Sequence, residues 1–467
     1  MIRRLKNLLF SPRTTLVLLG MAMVLVLAGT LAQIDKDIGA VIAQYFRCFI
    51  ARMDLFIFFP RSWNIPTALW VPFPGGVLIG GLLALNLSVV HAAKFRISAQ
   101  GRQRIVGITL LLMAFAALAA SVLDWGSASK ITAETNPFGG MLHQLGWGAP
   151  AVGLVCLACL VLYRRRAGLI LLFGGFLFLL LGAVASSRLS EEFTLTLEKG
   201  ETVDFLDSFR HYELVVVDSS LAEETISDRQ LKKESLVTLE KMPFDIKVRR
   251  YMPNSSRPMP LSQIDPSIIP DYPDYDGMGS EYFVVECARE PGEDPAPAVD
   301  VELIDRDSGK SLGRYLFSLW FYPNFTQRQL IFHSQVEVDG KPYTIALRPR
   351  REMLRDAKGN PFSITLQDFA RENHEGTQTP KQYSDRVQLI NEGAGLDREL
   401  QIRMNSPLRY ARFTFYQSDT LPNGKGAVLL VVRNGARRIP YLSCMLMLAG
   451  LLIQFAGEMR SYFRRNA

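Results

Sequence analysis

Six long apolar windows constrain the fold of this chain more than any other feature. An α-helix needs roughly 17 to 25 predominantly apolar residues to cross a bilayer. Every window has such a length, and about 250 residues without one separate the fifth from the sixth. The windows are 14–33, 73–93, 105–123, 147–163, 167–186 and 439–457. They predict an integral membrane bundle of six transmembrane helices, with a large polar domain inserted before the last helix.

Basic residues give this bundle a direction, because Lys and Arg are enriched in short cytoplasmic loops. Four basic segments fall on one side of a six-helix bundle, whereas the loop 124–146 has only Lys130 as a base. The basic residues are Arg3, Arg4, Lys6 and Arg13, then Lys94, Arg96, Arg102 and Arg104, then Arg164, Arg165 and Arg166, and finally Arg460, Arg464 and Arg465. The sequence therefore predicts cytoplasmic N- and C-termini and an extracytoplasmic or periplasmic polar domain, in the cell inner (plasma) membrane.

The net charge and the cysteines have simple explanations in this topology. Much of the formal charge of +7 belongs to the basic segments, so it indicates contact with a lipid bilayer and gives no support for nucleic acid. Cys156 and Cys159 form a CxxC in LVCLACLVLY. A redox CxxC needs a wet helix N-terminus, so these cysteines are predicted to be two small residues on a lipid-embedded helix.

The segment between the fifth and sixth windows alternates polar and apolar residues. Runs such as FTLTLEKGETVDF, FDIKVRRYM, EYFVVECA, AVDVELIDRDSGKSLG, QVEVDGKPYTIAL and AVLLVVRN are broken by DG, KG, SG and NG turns. This pattern predicts antiparallel strands, and the Pro- and Asp-rich stretch 253–280 predicts a long irregular loop. The predicted domains are a five-helix transmembrane bundle at 1–186, an all-β, sandwich-like domain at 187–438, and a last helix with a tail at 439–467.

No catalytic constellation is visible in the polar domain. Its sequence has no GxSxG, HExxH, P-loop or dinucleotide fingerprint, so no catalytic residue is assigned. His211, His333 and His374 are not paired at metal-ligand spacing and are predicted to be surface or strand residues. The stretch DRDSG at 305–309 lacks the distal Glu of an EF-hand calcium loop and is predicted to be a turn.

Two histidines lie close to the membrane instead. His91 falls near the cytoplasmic end of the second window, in LLALNLSVVHAAKF. An ionisable side chain at membrane depth needs a partner. His91 is therefore either interfacial, reaching toward the headgroups beside Lys94, or an axial ligand to haem iron. His143 in GGMLHQLGWG is predicted to be a loop residue, although Trp147 nearby could pack against a flat ring.

Several stretches resemble the ResB (CcsB) family, a membrane component of the System II pathway of cytochrome c-type biogenesis. The matching stretches are AGTLAQ (28–33), AQYFRCF (43–49), PGGVLIGGLLALNLSVVHAAKF (74–95), DFLDSFRHYE (204–213), RFTFYQSD (412–419) and VVRNGARRIPYLSCMLMLAGLLIQF (431–455). They follow the order of the family and extend over both ends of the chain and the polar domain.

The resemblance implies a function in haem delivery. It implies a CcsA- or ResC-like membrane partner, with which the chain binds and exports haem and presents it to the CXXCH motif of an apocytochrome c. His91 matches the family's intramembrane haem ligand, so the expected cofactor is haem b, bound transiently and shared with the partner. The five Trp residues are scattered, and the Trp-rich haem motif is expected in the partner. The chain is therefore at most one subunit of a haem–cytochrome c ligation complex.

The sequence departs from the family pattern in its number of spans, and two other functions are alternatives to haem delivery. A typical family member has three spans before the outer domain, whereas five windows precede it here. One alternative is a non-catalytic, membrane-anchored assembly scaffold whose β-domain binds a partner protein, with His91 merely interfacial. The other alternative, a small-solute transporter, is disfavoured because the six windows hold no Asp, Glu, Lys or Arg to couple ions.

Overall fold

The computed structural model describes residues 11–34, 38–59, 63, 66, 69–92, 97–122, 137–264, 272–289, 295–321, 334–338, 340–373, 380–403, 406–421 and 425–466. The chain divides into two compact units. The helical unit comprises Met1–Glu191, Asn405–Thr414 and Val432–Ala467, and the strand unit comprises Glu192–Met404 and Phe415–Val431.

Apolar helices dominate the helical unit. The α-helices of the described chain are α1 (Pro12–Ala32), α2 (Ile38–Val41), α3 (Gly76–Ala92), α4 (Gly101–Val122), α5 (Pro137–Tyr163), α6 (Ala167–Leu189), α7 (Asp228–Leu231) and α8 (Ile439–Asn466). Four described segments are long and apolar enough to cross a membrane, namely Arg13–Ala32, Gly101–Val122, Gly148–Leu189 and Ile439–Arg465. These helices indicate a membrane protein, while the count of six spans stays a prediction.

The fourth and fifth windows form one 42-residue apolar segment, Gly148–Leu189, in which the chain reverses. Arg164 has a φ of 49°, in the left-handed region, and ends α5 before α6 begins. Contacts at small residues show the reversal. Gly148 near the start of α5 lies against Leu442 of α8, and Gly182 near the end of α6 lies against Ile439 of the same helix. Helices α5 and α6 therefore run in opposite directions beside α8.

The second window gives a shorter helix than predicted. Its first residues belong to the strand Trp70–Pro74, which pairs antiparallel with Ile50–Asp54. Backbone pairing with a strand some 20 residues upstream takes these residues out of the helix, and hydropathy alone does not reveal it. Helix α3 then begins at Gly76 and continues to Ala92, a length of 17 residues.

Antiparallel strands make up the strand unit, as the alternating pattern predicted. The strands of the described chain are β1 (Ile50–Asp54), β2 (Trp70–Pro74), β3 (Ser190–Glu198), β4 (Thr202–Val203), β5 (Phe205–Val217), β6 (Glu223–Ser227), β7 (Leu236–Thr238), β8 (Phe244–Met252), β9 (Met259–Pro260), β10 (Tyr282–Phe283), β11 (Ala298–Asp305), β12 (Ser311–Ser318), β13 (Ser334–Val338), β14 (Lys341–Met353), β15 (Ser363–Asn373), β16 (Pro380–Asn391), β17 (Leu396–Arg403), β18 (Leu408–Tyr410), β19 (Phe413–Thr420) and β20 (Gly426–Asn434).

Five sheets contain these strands, three large ones and the two-stranded pairs β1-β2 and β10-β9. The largest has the order β13-β14-β5-β3-β20-β19-β18, with β6 also paired to β5. Two four-stranded sheets have the orders β12-β11-β8-β7 and β17-β16-β15-β4. One core cluster joins inward side chains of β5 and β14 with those of β8, β11 and β12. Two sheets therefore pack face to face there, as in the sandwich-like domain that was predicted.

Candidate functional site

Helix α3 holds the residue that the sequence singles out. His91 lies in the last turn of this helix, and its side chain lies outside the described part of the chain. His143, which was predicted to be a loop residue, lies within α5 instead. Its glycine-rich surroundings suggested a loop, but a glycine costs a helix interior only about 1 kcal/mol relative to alanine. The side chain of His143 is likewise outside the described residues.

Small residues leave an opening on the surface of α3. A Cβ atom added at Gly80 or Gly81 would meet no other atom within 4 Å. Residues four, seven and eleven positions apart share one line on a helix. Position 91 therefore falls on the line of Gly80, Ala84 and Leu87, about three turns from Gly80. We call Gly80 and Gly81 the glycine opening.

A buried polar contact fixes α3 against α1. The side chain of Asn86 is fully buried. The hydroxyl of Thr15 donates to Asn86 Oδ1 at 2.5 Å, and Asn86 Nδ2 donates to the carbonyl oxygen of Ser11 at 3.4 Å. Interhelical hydrogen bonds of this kind tie apolar helices together where no water competes. Sequence reasoning did not single out Asn86, although a lone Asn inside an apolar window was the available signal.

The residues before α3 are packed closely against the end of α1. A Cβ atom at Gly29 would lie 2.8 Å from the ring of Phe46, and one at Gly76 would lie 2.5 Å from the Phe46 carbonyl oxygen. A Cβ atom at Gly75 would collide with the carbonyl of Cys48. At Gly75 and Gly76 only glycine fits without a shift of the backbone, whereas at Gly29 the ring of Phe46 would have to move. Three stretches of the sequence, 28–33, 43–49 and 74–95, therefore meet where the chain enters α3.

Basic residues gather at one end of the bundle. Arg164 Nη2 donates to Gln103 Oε1 at 2.9 Å. The backbone N–H groups of Ser98 and Ala99 both donate to the carbonyl oxygen of Leu162, at 2.9 and 3.1 Å. These bonds bring the start of α4 to the end of α5. Two of the basic segments used to orient the bundle, 102–104 and 164–166, are therefore neighbours.

The strand unit uses its charged groups to hold the fold together. His211 Nδ1 lies 3.6 Å from Asp228 Oδ2, and Lys232 Nζ lies 2.9 Å from the same oxygen. Burial alone would raise the pKa of the Asp228 carboxyl, but the hydrogen bond and charge of Lys232, together with His211, hold that pKa below its usual value. His211 is thus a strand residue with a carboxylate neighbour, as predicted.

The described residues of this unit include no cluster of potential metal ligands. His333 and His374 lie outside the described residues. Within the described ranges, no group of three or more His, Cys, Asp or Glu side chains could hold a metal ion. Asp305–Gly309 forms a turn, closed by the N–H of Gly309 donating to the carbonyl oxygen of Asp305 at 2.9 Å, as predicted.

Comparison with known proteins adds two findings. Residues 336–439 match the sequence model of the ResB-like family. Protein NrfI of Wolinella succinogenes is 23% identical over 354 residues, a match that covers 74% of this chain and 33% of NrfI. The chain thus spans about a third of the length of the curated relative that it matches.

Proposed function

We propose that this chain, whose residues 336–439 match the sequence model of the ResB-like family, is a haem-handling membrane subunit in cytochrome c biogenesis. Together with a CcsA- or ResC-like partner, it binds haem, exports it, and presents it to the CXXCH motif of an apocytochrome c. The chain forms six spans, with both termini in the cytoplasm and the strand unit outside the inner membrane. The basic residues gathered near Arg164 and Gln103 support this orientation.

The glycine opening on α3 is the observation that carries this proposal. A Cβ atom added at Gly80 or Gly81 would meet no atom within 4 Å, so in this proposal a flat apolar group lies against these two small residues, and His91 follows on the same helix. When bound, haem supplies the iron and the vinyl groups that form the thioether bonds. His91 would hold the iron through an imidazole nitrogen, and Asn86 fixes the position of α3 against α1. Leu82 and Leu85 beside the opening are exposed and would contact the partner.

The strand unit receives the apocytochrome in this proposal. The sheet β17-β16-β15-β4 has β17 at its edge. An extended peptide can add to such an edge through main-chain hydrogen bonds. The scaffold alternative gives the strand unit the same task without a haem ligand in α3. The two functions differ in what a variant of His91 does to bound haem.

Replacing His91 with Ala is expected to abolish the Soret band of the complex co-purified with its CcsA-like partner. Alanine offers no nitrogen to the iron, whereas imidazole added to the solution restores part of the band by taking the vacated position. The measurement is the visible absorption spectrum of the wild-type and variant complexes at equal protein concentration. His211→Ala is the matched control, because His211 lies in β5 beside Asp228, and it should keep the band. Identical spectra for wild type and His91→Ala would favour the scaffold.

Replacing Gly80 with Leu is expected to lower the haem content of the same complex severalfold. The new side chain enters open space, because a Cβ atom there meets nothing within 4 Å, so it blocks the opening without displacing the protein. The measurement is haem per complex after purification. Gly20→Leu on α1, where a Cβ atom also meets nothing within 4 Å, is the control. Equal haem content in both variants would show that the opening is not used.

A further inference from the structure

An elongated apolar cavity lies between α4, α5, α6 and α8. Its volume is about 580 Å³, and its described lining is apolar apart from the Cys159 thiol and the Tyr163 hydroxyl. On α4 the lining extends from Leu111 to Val122, which at 1.5 Å per residue is about 16 Å. The cavity is therefore long, and it runs along the helices through most of the thickness of a bilayer leaflet.

Helix α6 keeps this space open with a glycine. Gly174 lines the cavity, and a Cβ atom added to it would meet no atom within 4 Å. Its neighbour Gly175 also lines the cavity, but a Cβ atom there would lie 2.9 Å from Met447 Cγ of α8. Gly175 serves helix packing, whereas the missing side chain of Gly174 enlarges the cavity.

One end of the cavity carries a cluster of positive charge. Tyr163 lines the cavity and is followed directly by Arg164, Arg165 and Arg166, all with exposed side chains. The hydrogen bond from Arg164 to Gln103 brings Arg102 and Arg104 to the same end, and both of these are also exposed. We call these five arginines the arginine collar.

We propose that this cavity binds an anionic phospholipid, with one acyl chain in the cavity and the phosphate at the arginine collar. A narrow apolar space about 16 Å long suits an extended hydrocarbon chain better than a flat macrocycle. Basic pockets between transmembrane helices are known to recognise anionic headgroups. The site lies on other helices than His91 and does not depend on the proposed part in cytochrome biogenesis.

The test measures phospholipid retained by the purified full-length chain. Native mass spectrometry after titration with phosphatidylglycerol should show one tightly held lipid, retained more strongly than phosphatidylcholine. Gly174→Leu should lower that retention by about tenfold or more, because it displaces several methylene groups and each buried methylene adds to binding. Gly153→Leu on α5 is the control: a Cβ atom there also meets nothing within 4 Å, but Gly153 does not line the cavity. Gly153→Leu should retain phosphatidylglycerol as strongly as wild type does.

The charge of the collar is tested separately. The double variant Arg165→Gln/Arg166→Gln should distinguish phosphatidylglycerol from phosphatidylcholine less than wild type does, since two of the five arginines that contact the headgroup are lost. The proposal is overturned if Gly174→Leu retains lipid as well as Gly153→Leu does, or if wild type does not distinguish the two lipids. It is also overturned if the molecule whose retention Gly174→Leu lowers has the mass of haem.

Discussion

Replacing Arg348 with Met is expected to lower the free energy of unfolding of the strand unit by about 3–5 kcal/mol, a fall in Tm on the order of 10 °C. Arg348 Nε lies 2.9 Å from Glu213 Oε1, and both side chains are only 8% exposed. Arg348 Nη2 also lies 2.8 Å from Glu223 Oε2. Without the guanidinium, the Glu213 carboxylate stays buried without its cation. Thermal unfolding of the detergent-solubilised chain, followed by circular dichroism of the strands, measures the change.

Two further variants separate the buried charge from the loss of contacts. The double variant Arg348→Met/Glu213→Gln removes the uncompensated charge, so it should recover more than half of the lost Tm. Arg386→Met breaks the pair of Arg386 with Glu399, whose side chains are 56% and 60% exposed, and should leave Tm close to that of wild type. If Arg348→Met unfolded at the same temperature as Arg386→Met, the buried pair would not stabilise the fold.

The Arg348–Glu213 pair gives a structural role to DFLDSFRHYE, one of the stretches that resemble the ResB family. Glu213 ends DFLDSFRHYE, and the structure puts it directly across from Arg348 in the register of β5 and β14. The hydrogen bond and charge of Arg348 hold the pKa of the Glu223 carboxyl below its usual value despite partial burial. The charged residues at the end of the stretch therefore secure the largest sheet. No sequence pattern predicts such a contact, because Arg348 and Glu213 are separated by 135 positions.

The helices were largely predictable from hydropathy because each apolar run is a local property of the chain. The first window, 14–33, corresponds to Pro12–Ala32, and the fifth, 167–186, corresponds to Ala167–Leu189. The last helix continues to Asn466, well past its window. Its final turns are polar and exposed, so a search for apolar residues stops before the helix does.

The strands were predictable where one face is apolar and a turn marks the end. FDIKVRRYM coincides with β8, and the KG and DG turns separate neighbouring strands. EYFVVECA gives only the two-residue strand Tyr282–Phe283, because its partner Met259–Pro260 is equally short. Strands β15, β16 and β17 were missed. Many of their residues are charged or amide side chains, which conceal the alternating buried positions such as Ile364 and Leu366.

The candidate site was predictable only in part. The sequence indicated His91 as an ionisable residue in an apolar run. It could not indicate that Asn86 is fully buried against Thr15 of another helix, nor that Gly80 borders open space. Both are properties of helix packing, which depends on residues distant in the sequence.

Replacing Asp385 with Asn is expected to remove a large pH dependence of stability. Asp385 lies on β16 with its side chain fully buried, between Phe369 and Ile402 in the neighbouring strands. Within the described part of the chain, neither carboxylate oxygen has a hydrogen-bond partner. Burial therefore disfavours the charged form and raises the pKa of this carboxyl to about 7.

The direction of the change in stability with pH follows from whether the folded or the unfolded chain keeps the proton. Between about pH 4 and pH 7 the unfolded chain releases this proton, whereas the folded chain keeps it. The contribution of Asp385 to stability is therefore most favourable below about pH 4, falls by on the order of 4 kcal/mol as the pH rises to about 7, and changes little above that. Asparagine has no proton to lose. Asp385→Asn should therefore match wild type near pH 4 and unfold at a Tm higher by about 10 °C at pH 8.

Thermal unfolding of both proteins across this pH range measures the difference. Asp368→Asn on the neighbouring strand β15 is the control with the opposite sign. The hydrogen bond and charge of Lys199 hold the pKa of the Asp368 carboxyl below its usual value. The Asp368 carboxylate stabilises the fold above the ordinary pKa of aspartate, and this stabilisation is lost on acidification. Asp368→Asn should therefore be less stable than wild type at pH 7 and equally stable at low pH. A stability profile of Asp385→Asn that still falls between pH 4 and pH 7 would assign the slope to other groups, since the substituted side chain cannot titrate.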